Sequence, residues 1–130
     1  MTTLAAQYQK YKSQSVCAST PGEQIVLLFE QAIVSLSKAA AALDRKDVCG
    51  AHNAITHVQD IYLFLSDHLD MHYEISQNLF TLYQYIYDEL VKANIKKDKE
   101  PILRILEMTR GFRDTWKQAE TLNRKAVVAK

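Results

Sequence analysis

The sequence predicts an all-α protein, an antiparallel up-down-up-down four-helix bundle behind an N-terminal extension. Two observations carry this. Four long segments keep their apolar residues at alternating spacings of three and four, the stripe of a bundle helix. The connections between them are only a few residues long, too short for a crossover, so sequential helices lie antiparallel. In 130 residues, 48% of them hydrophobic, three glycines and two prolines leave little to interrupt helices, and one domain can bury a sizeable core.

Residues 1–18 read as a mobile N-terminal segment in which Tyr8, Tyr11 and Val16 anchor a polar stretch, ahead of a single bundle domain over 19–130. Thr20-Pro21-Gly22-Glu23 opens the first helix as a capping box with proline at the first helical position. Ile25, Phe29, Ala32, Leu36, Ala39 and Leu43 form its stripe, which ends near Asp44-Arg45-Lys46. The second helix is expected from Asp47 to about Leu69 on Ala51, Ile55, Val58, Tyr62, Leu65 and Leu69, with Gly50 a weak point in its first turn. The third covers Tyr73 to Asn94. Its Tyr83, Tyr85 and Tyr87 alternate as in a strand, but Ile75, Leu79, Leu82, Ile86 and Ala93 keep helical spacing. Asp98 can cap the fourth helix, Pro101 falls in its first turn, and Ile102, Ile105, Thr109, Phe112, Trp116 and Ala119 face inward. A short C-terminal helical turn is expected after Asn123.

Sixteen Lys and Arg against fifteen Asp and Glu leave a net charge of +1, so no summed field favours nucleic acid or an anionic membrane. Lys96, Lys97 and Lys99 are offset by Asp98 and Glu100. The start lacks the charged region and apolar run of a signal peptide. No window approaches the roughly 18 apolar residues of a spanning helix. The chain is therefore expected in the cytoplasm without membrane insertion, with Cys17 and Cys49 as reduced packing residues.

Bundle chemistry finds little to work with. A di-iron site needs Glu-x-x-His pairs, yet the residues three after Glu30, Glu74, Glu89 and Glu107 are Ile33, Gln77, Lys92 and Arg110. Phosphotransfer would set a lysine beside an exposed histidine, yet the residues three after His52, His57, His68 and His72 are Ile55, Asp60, Met71 and Ile75. His68 and His72 have metal-ligand spacing only if one helix runs through both, and they fall at a helix end. Gly22, Gly50 and Gly111 are isolated, so no phosphate loop exists. Arg45 and His52 loosely resemble the Arg-x(4–6)-His arrangement of HEPN-type ribonucleases, an alternative weighed against two surface residues at a helix start. No cofactor, metal or enzyme activity is expected.

Binding is the better expectation. At about 100° per residue, the core direction of the third helix passes through Leu79, Leu82, Ile86 and Ala93, leaving Phe80, Tyr83, Tyr87 and Val91 as a second apolar stripe and Tyr85 on the opposite flank. The second helix has a comparable stripe of Ala54, His57, Ile61, Phe64 and His68. Two such helices can frame a groove for a partner helix with anchors at i, i+3, i+4 and i+7.

Tyr8-Gln9-Lys10-Tyr11, Ser19-Thr20-Pro21-Gly22-Glu23, Leu82-Tyr83-Gln84-Tyr85-Ile86 running into Leu90-Val91-Lys92-Ala93-Asn94, and Phe112-Arg113-Asp114-Thr115-Trp116-Lys117 occur in this order. Together they resemble the flagellin secretion chaperone family, FliS, from about Tyr8 to Lys125, with Leu69-Asp70 and Asn78-Leu79 in agreement. The resemblance implies a cytosolic bundle that binds the disordered C-terminal segment of flagellin, prevents its premature polymerisation and presents it to the flagellar type III export apparatus. Export-gate components or another flagellar regulator are further implied partners, and an adaptor for such a regulator is a second alternative. It also implies that Tyr8 and Tyr11 belong to a mobile cover that moves when client binds. Gln31, where the family often has glycine, and the glycine-free corner from His68 to Tyr73 depart from the pattern. The expected partner-binding residues are Tyr8, Tyr11, Ile61, Phe64, Phe80, Tyr83, Tyr87 and Val91.

Overall fold

The computed structural model describes Leu4 and residues 20–129, with side chains through residue 122; Tyr8, Tyr11, Cys17 and the rest of the expected N-terminal segment lie outside the described residues. Four helices follow in order: α1 (Pro21–Asp44), α2 (Val48–Asp67), α3 (Glu74–Lys96) and α4 (Lys99–Ala129). No strand occurs among the described residues.

Side chains that satisfy free amides set the starts of α1, α2 and α4, whereas Tyr73 at the start of α3 makes no such bond. Thr20 Oγ1 accepts from the Glu23 amide at 3.1 Å with Pro21 at the first helical position, and Asp47 Oδ1 accepts from the Gly50 amide at 3.0 Å. Asp98 Oδ1 accepts from the Glu100 amide at 3.2 Å. The stops at the other end of α1 and α3 use left-handed backbone without glycine: Lys46 has φ 59° and Lys97 φ 52°. The Lys97 ammonium donates to the Asn94 carbonyl at 2.7 Å and to its side-chain oxygen, which ties down that cap.

Contacts across the ends confirm the antiparallel order. Lys99 Nζ pairs with Asp44 Oδ1 at 2.8 Å, and Asn94 Nδ2 donates to His52 Nδ1 at 3.0 Å. At the opposite end Thr20 Oγ1 donates to Glu120 Oε2 at 2.9 Å. α1 packs most extensively, on α4 and α2; α2 packs on α3, and α3 touches α4 least. The bundle therefore has one slack seam.

Each helix contributes one ring to the aromatic layer of the core. Phe29 and Phe112 stack with centroids 5.7 Å apart, Tyr83 meets Phe112 edge-on at 5.7 Å, and Tyr62 lies 5.6 Å from Tyr83. Phe29, Tyr62 and Tyr83 are buried, and Phe112 packs against them partly exposed. The Tyr62 hydroxyl lies 2.6 Å from Thr109 Oγ1, which itself donates to the Ile105 carbonyl at 2.8 Å. Thr109 has a single hydroxyl hydrogen, so Tyr62 is the donor in their pair. Burial pushes the Tyr62 hydroxyl well above its ordinary pKa.

Three expectations change. The region after Asn123 is no separate turn, because α4 continues unbroken to Ala129 through residues that favour helix. At 1.5 Å per residue α4 is about 46 Å long and α1 about 36 Å, so α4 outruns the level marked by Thr20 and Glu120. Contrary to the expected lack of spanning-length segments, α1 is long and apolar enough to cross a membrane by length and composition. Eight of its residues are buried in the bundle, as a core helix requires. Cys49 is free and exposed in the first turn of α2, so it is not a packing residue.

The hydroxyl pair yields a graded expectation. Thr109→Val strands the buried Tyr62 hydroxyl and should cost about 2 kcal/mol in urea denaturation, whereas Tyr62→Phe leaves Thr109 bonded to Ile105 and should cost about 1 kcal/mol. Equal losses would show that the pair is not a buried donor and acceptor.

Candidate functional site

The two apolar stripes are real, but they do not face one groove. His52 bonds Asn94 of α3, so α3 lies on the His52 flank of α2. Lys38 of α1 acts on His57, which places α1 on the other flank. At about 100° per residue, Ile61, Phe64 and His68 project with His57, away from α3. Each helix was projected alone, which shows its own second stripe but not which neighbour that stripe meets.

On the α1–α2 side, Ile61 is fully buried and Phe64 is half-buried against the core. The Phe64 ring stacks on His68 with centroids 3.9 Å apart, and His68 Nδ1 donates to the Phe64 carbonyl at 2.9 Å. Burial lowers the His57 pKa, Asp60 opposes that and Lys38 adds to it. On the α2–α3 side, Phe80 is 41% exposed, Tyr87 and Val91 are half-buried, and Tyr83 is buried. Leu63, eleven residues after His52 and so on the same face of α2, is 37% exposed on this side. Sequence reasoning missed it because it belongs to neither α2 stripe.

Ile61 and Tyr83 thus have no surface to offer in this conformation. The buried line of α3 is Ser76, Tyr83, Ile86, Leu90 and Ala93, rotated toward α2 from the expected Leu79 and Leu82, which are only half-buried. The slack α3–α4 seam is the cause, since it leaves the Leu82 flank poorly covered. Tyr85 is 46% exposed on the other side of α3, within electrostatic reach of Arg104.

The remaining polar candidates are engaged separately. Arg45 reaches Asp47 at 3.6 Å while His52 accepts from Asn94, so the two belong to different contacts. His72 lies 2.8 Å from Asp70, and its ring and amide hold that carboxyl below the usual range. Among the described residues no three His, Cys, Asp or Glu side chains converge as a metal would need.

The described residues thus form a bundle with apolar strips on two outer seams, which can bind. The family model described as "Flagellar protein FliS" matches residues 4–123. The chain belongs to the FliS family. It is similar to the flagellar secretion chaperone FliS of Bacillus subtilis (strain 168), 32% identical over 118 residues that cover 91% of this chain and 89% of that protein. The Salmonella typhimurium chaperone FliS is 28% identical over 88% of this chain and 87% of its own length. That of Vibrio cholerae is 27% identical over 85% of each. FliS is a family of flagellar secretion chaperones, not a class of enzymes. A protein partner follows from that membership.

The buried tyrosine in this FliS-family core makes alkaline stability measurable. Burial pushes the Tyr83 hydroxyl up from 10.0 to about 12, against the lowering effect of its hydrogen bond with Trp116. A raised phenol pKa means the folded state holds the proton more tightly, so the contribution is complete below pH 10 and lost as pH climbs to about 12. The urea midpoint should fall across that window, and less steeply in Tyr83→Phe, with the residual slope due to Tyr62. An identical slope in Tyr83→Phe would contradict the assignment.

Proposed function

We propose that this chain is a cytoplasmic export chaperone that binds the disordered C-terminal segment of flagellin. It keeps that segment from polymerising early, hands it to the flagellar type III export apparatus, and works by binding without catalysis. The observation that carries this reading is membership of the FliS family by a bundle that leaves aromatic surface uncovered, with Phe80 41% exposed beside half-buried Tyr87 and Val91.

The physics suits such a client. A disordered segment loses conformational entropy when it binds and needs a long apolar contact to offset the loss. Burying aromatic side chains returns about 25 cal/mol per Å², and tyrosine hydroxyls can stay wet at the rim. Phe80, Tyr87 and Val91 supply one such strip and Phe64 another, with Tyr83 and Ile61 as the floors beneath them. Residues 1–18, with Tyr8 and Tyr11, serve as a cover over apolar surface in the empty chaperone. Leu4 supports this, because it is half-buried against the core.

Calorimetric titration of a flagellin C-terminal peptide tests the reading. Phe80→Asp, Tyr87→Asp and Phe64→Asp should each weaken binding by about tenfold or more, while far-UV circular dichroism stays unchanged. Affinity unchanged in all three would remove these residues from the client surface, and no binding to the parent chain would overturn the flagellin reading.

A further inference from the structure

The far end of α4 is held to the bundle differently from the rest of the helix. Up to Trp116, α4 faces the core with Ile102, Ile105 and Leu106 buried and Met108, Phe112 and Trp116 packed against it. From 117 to 122 every residue is exposed except Glu120. Glu120 stands four residues after Trp116 on the same face, where the stripe calls for an apolar side chain. A carboxylate in that position needs a partner, and the start of α1 supplies it.

Glu120 Oε2 accepts from Thr20 Oγ1 at 2.9 Å, while the same hydroxyl oxygen accepts from the Glu23 amide at 3.1 Å. One hydroxyl thus caps α1 and ties down α4, with its proton serving one bond and a lone pair the other. The rest of the Glu120 carboxyl lies over the first turn of α1, in the space that a Cβ on Gly22 would take. Gly22 has no positive φ, so its backbone would accept any residue, and alanine would favour the helix more. What calls for glycine is the carboxylate above it. The free amides of the first turn make this a favourable place for negative charge. A second tie from this stretch to α1, Lys117 Nζ to Glu30 Oε1 at 3.7 Å, is an exposed pair of the kind that holds little.

We propose that Thr20, Gly22 and Glu120 form a clasp, and that the end of α4 is a strap which this clasp holds closed. Closed, α4 runs along α1 as far as its start. Open, the turns after Trp116 leave α1 and the Trp116 ring is uncovered. Thr20 is also where residues 1–19 join α1, so a shift of the chain there reaches α4 through one hydroxyl.

Hydrogen exchange of the full chain tests the clasp. Gly22→Ala evicts the carboxylate while favouring α1, Glu120→Ala removes it, and Thr20→Val withdraws the hydroxyl, as a shift of the chain would. Each should speed exchange of the amides at 117–122 by about fivefold or more, with far-UV circular dichroism unchanged. Each should also move the emission of Trp116, the sole tryptophan, to the red. Gly22→Ala combined with Glu120→Ala should exchange no faster than either alone. Gly22→Ala should lower the thermal midpoint of the parent chain but raise that of Glu120→Ala, where only its gain in helix propensity remains. Parental exchange at 117–122 in the single variants, or effects that add in the double variant, would overturn the clasp. Faster exchange in Thr20→Val alone would overturn it too, since the cap of α1 would then act without Glu120.

Discussion

Four rings, one from each helix, meet in a single layer, and the Tyr62 hydroxyl among them is satisfied from α4. Its partner is Thr109, at 2.6 Å. Apolar packing alone would tolerate helices sliding or turning past one another, because a hydrophobic contact has no direction. A buried hydroxyl does not tolerate it, since losing its partner costs the full desolvation of the group. The Tyr62–Thr109 bond therefore fixes the height and rotation of α2 against α4.

Much of the architecture was legible in the sequence. The Thr20-Pro21 start, the Asp98 cap and four heptad stripes are local signals, and local signals place a helix to within a few residues. Sequence reasoning failed where an outcome depended on how closely two helices approach. Ile61 has the angular offset of a boundary residue but is fully buried, because α1 packs tightly on that flank of α2. Leu82 has the spacing of a core residue but remains half-exposed, because α4 stands off. Tyr83 was read beside the core and is inside it, again through the rotation of α3. Periodicity gives the direction of each side chain from its own axis, whereas distances between axes are set by the whole core.

For a chaperone this division of surface has a physical logic. Phe64 shares its outer strip with histidines, and Phe80 and Tyr87 share theirs with Leu63. The ion pairs lie elsewhere, as in Lys117 with Glu30 at 3.7 Å and Lys99 with Asp44. Exposed pairs of this kind stabilise little. They place charge and water around strips that would otherwise invite nonspecific association.

The interior is also graded along its length. Ala39, Ala40, Ala42, Ala51 and Ala93 fill it near the two short lysine-capped connections, while Phe29, Tyr62, Tyr83 and Phe112 fill it at the other end. Side-chain volume sets how near two helix axes can come, so small residues suit the end where the connections hold the helices in pairs. At that end the connections pin the helices and methyl groups hold them close. At the other end the four rings meet, and there the core is filled by aromatic contact instead of methyl groups.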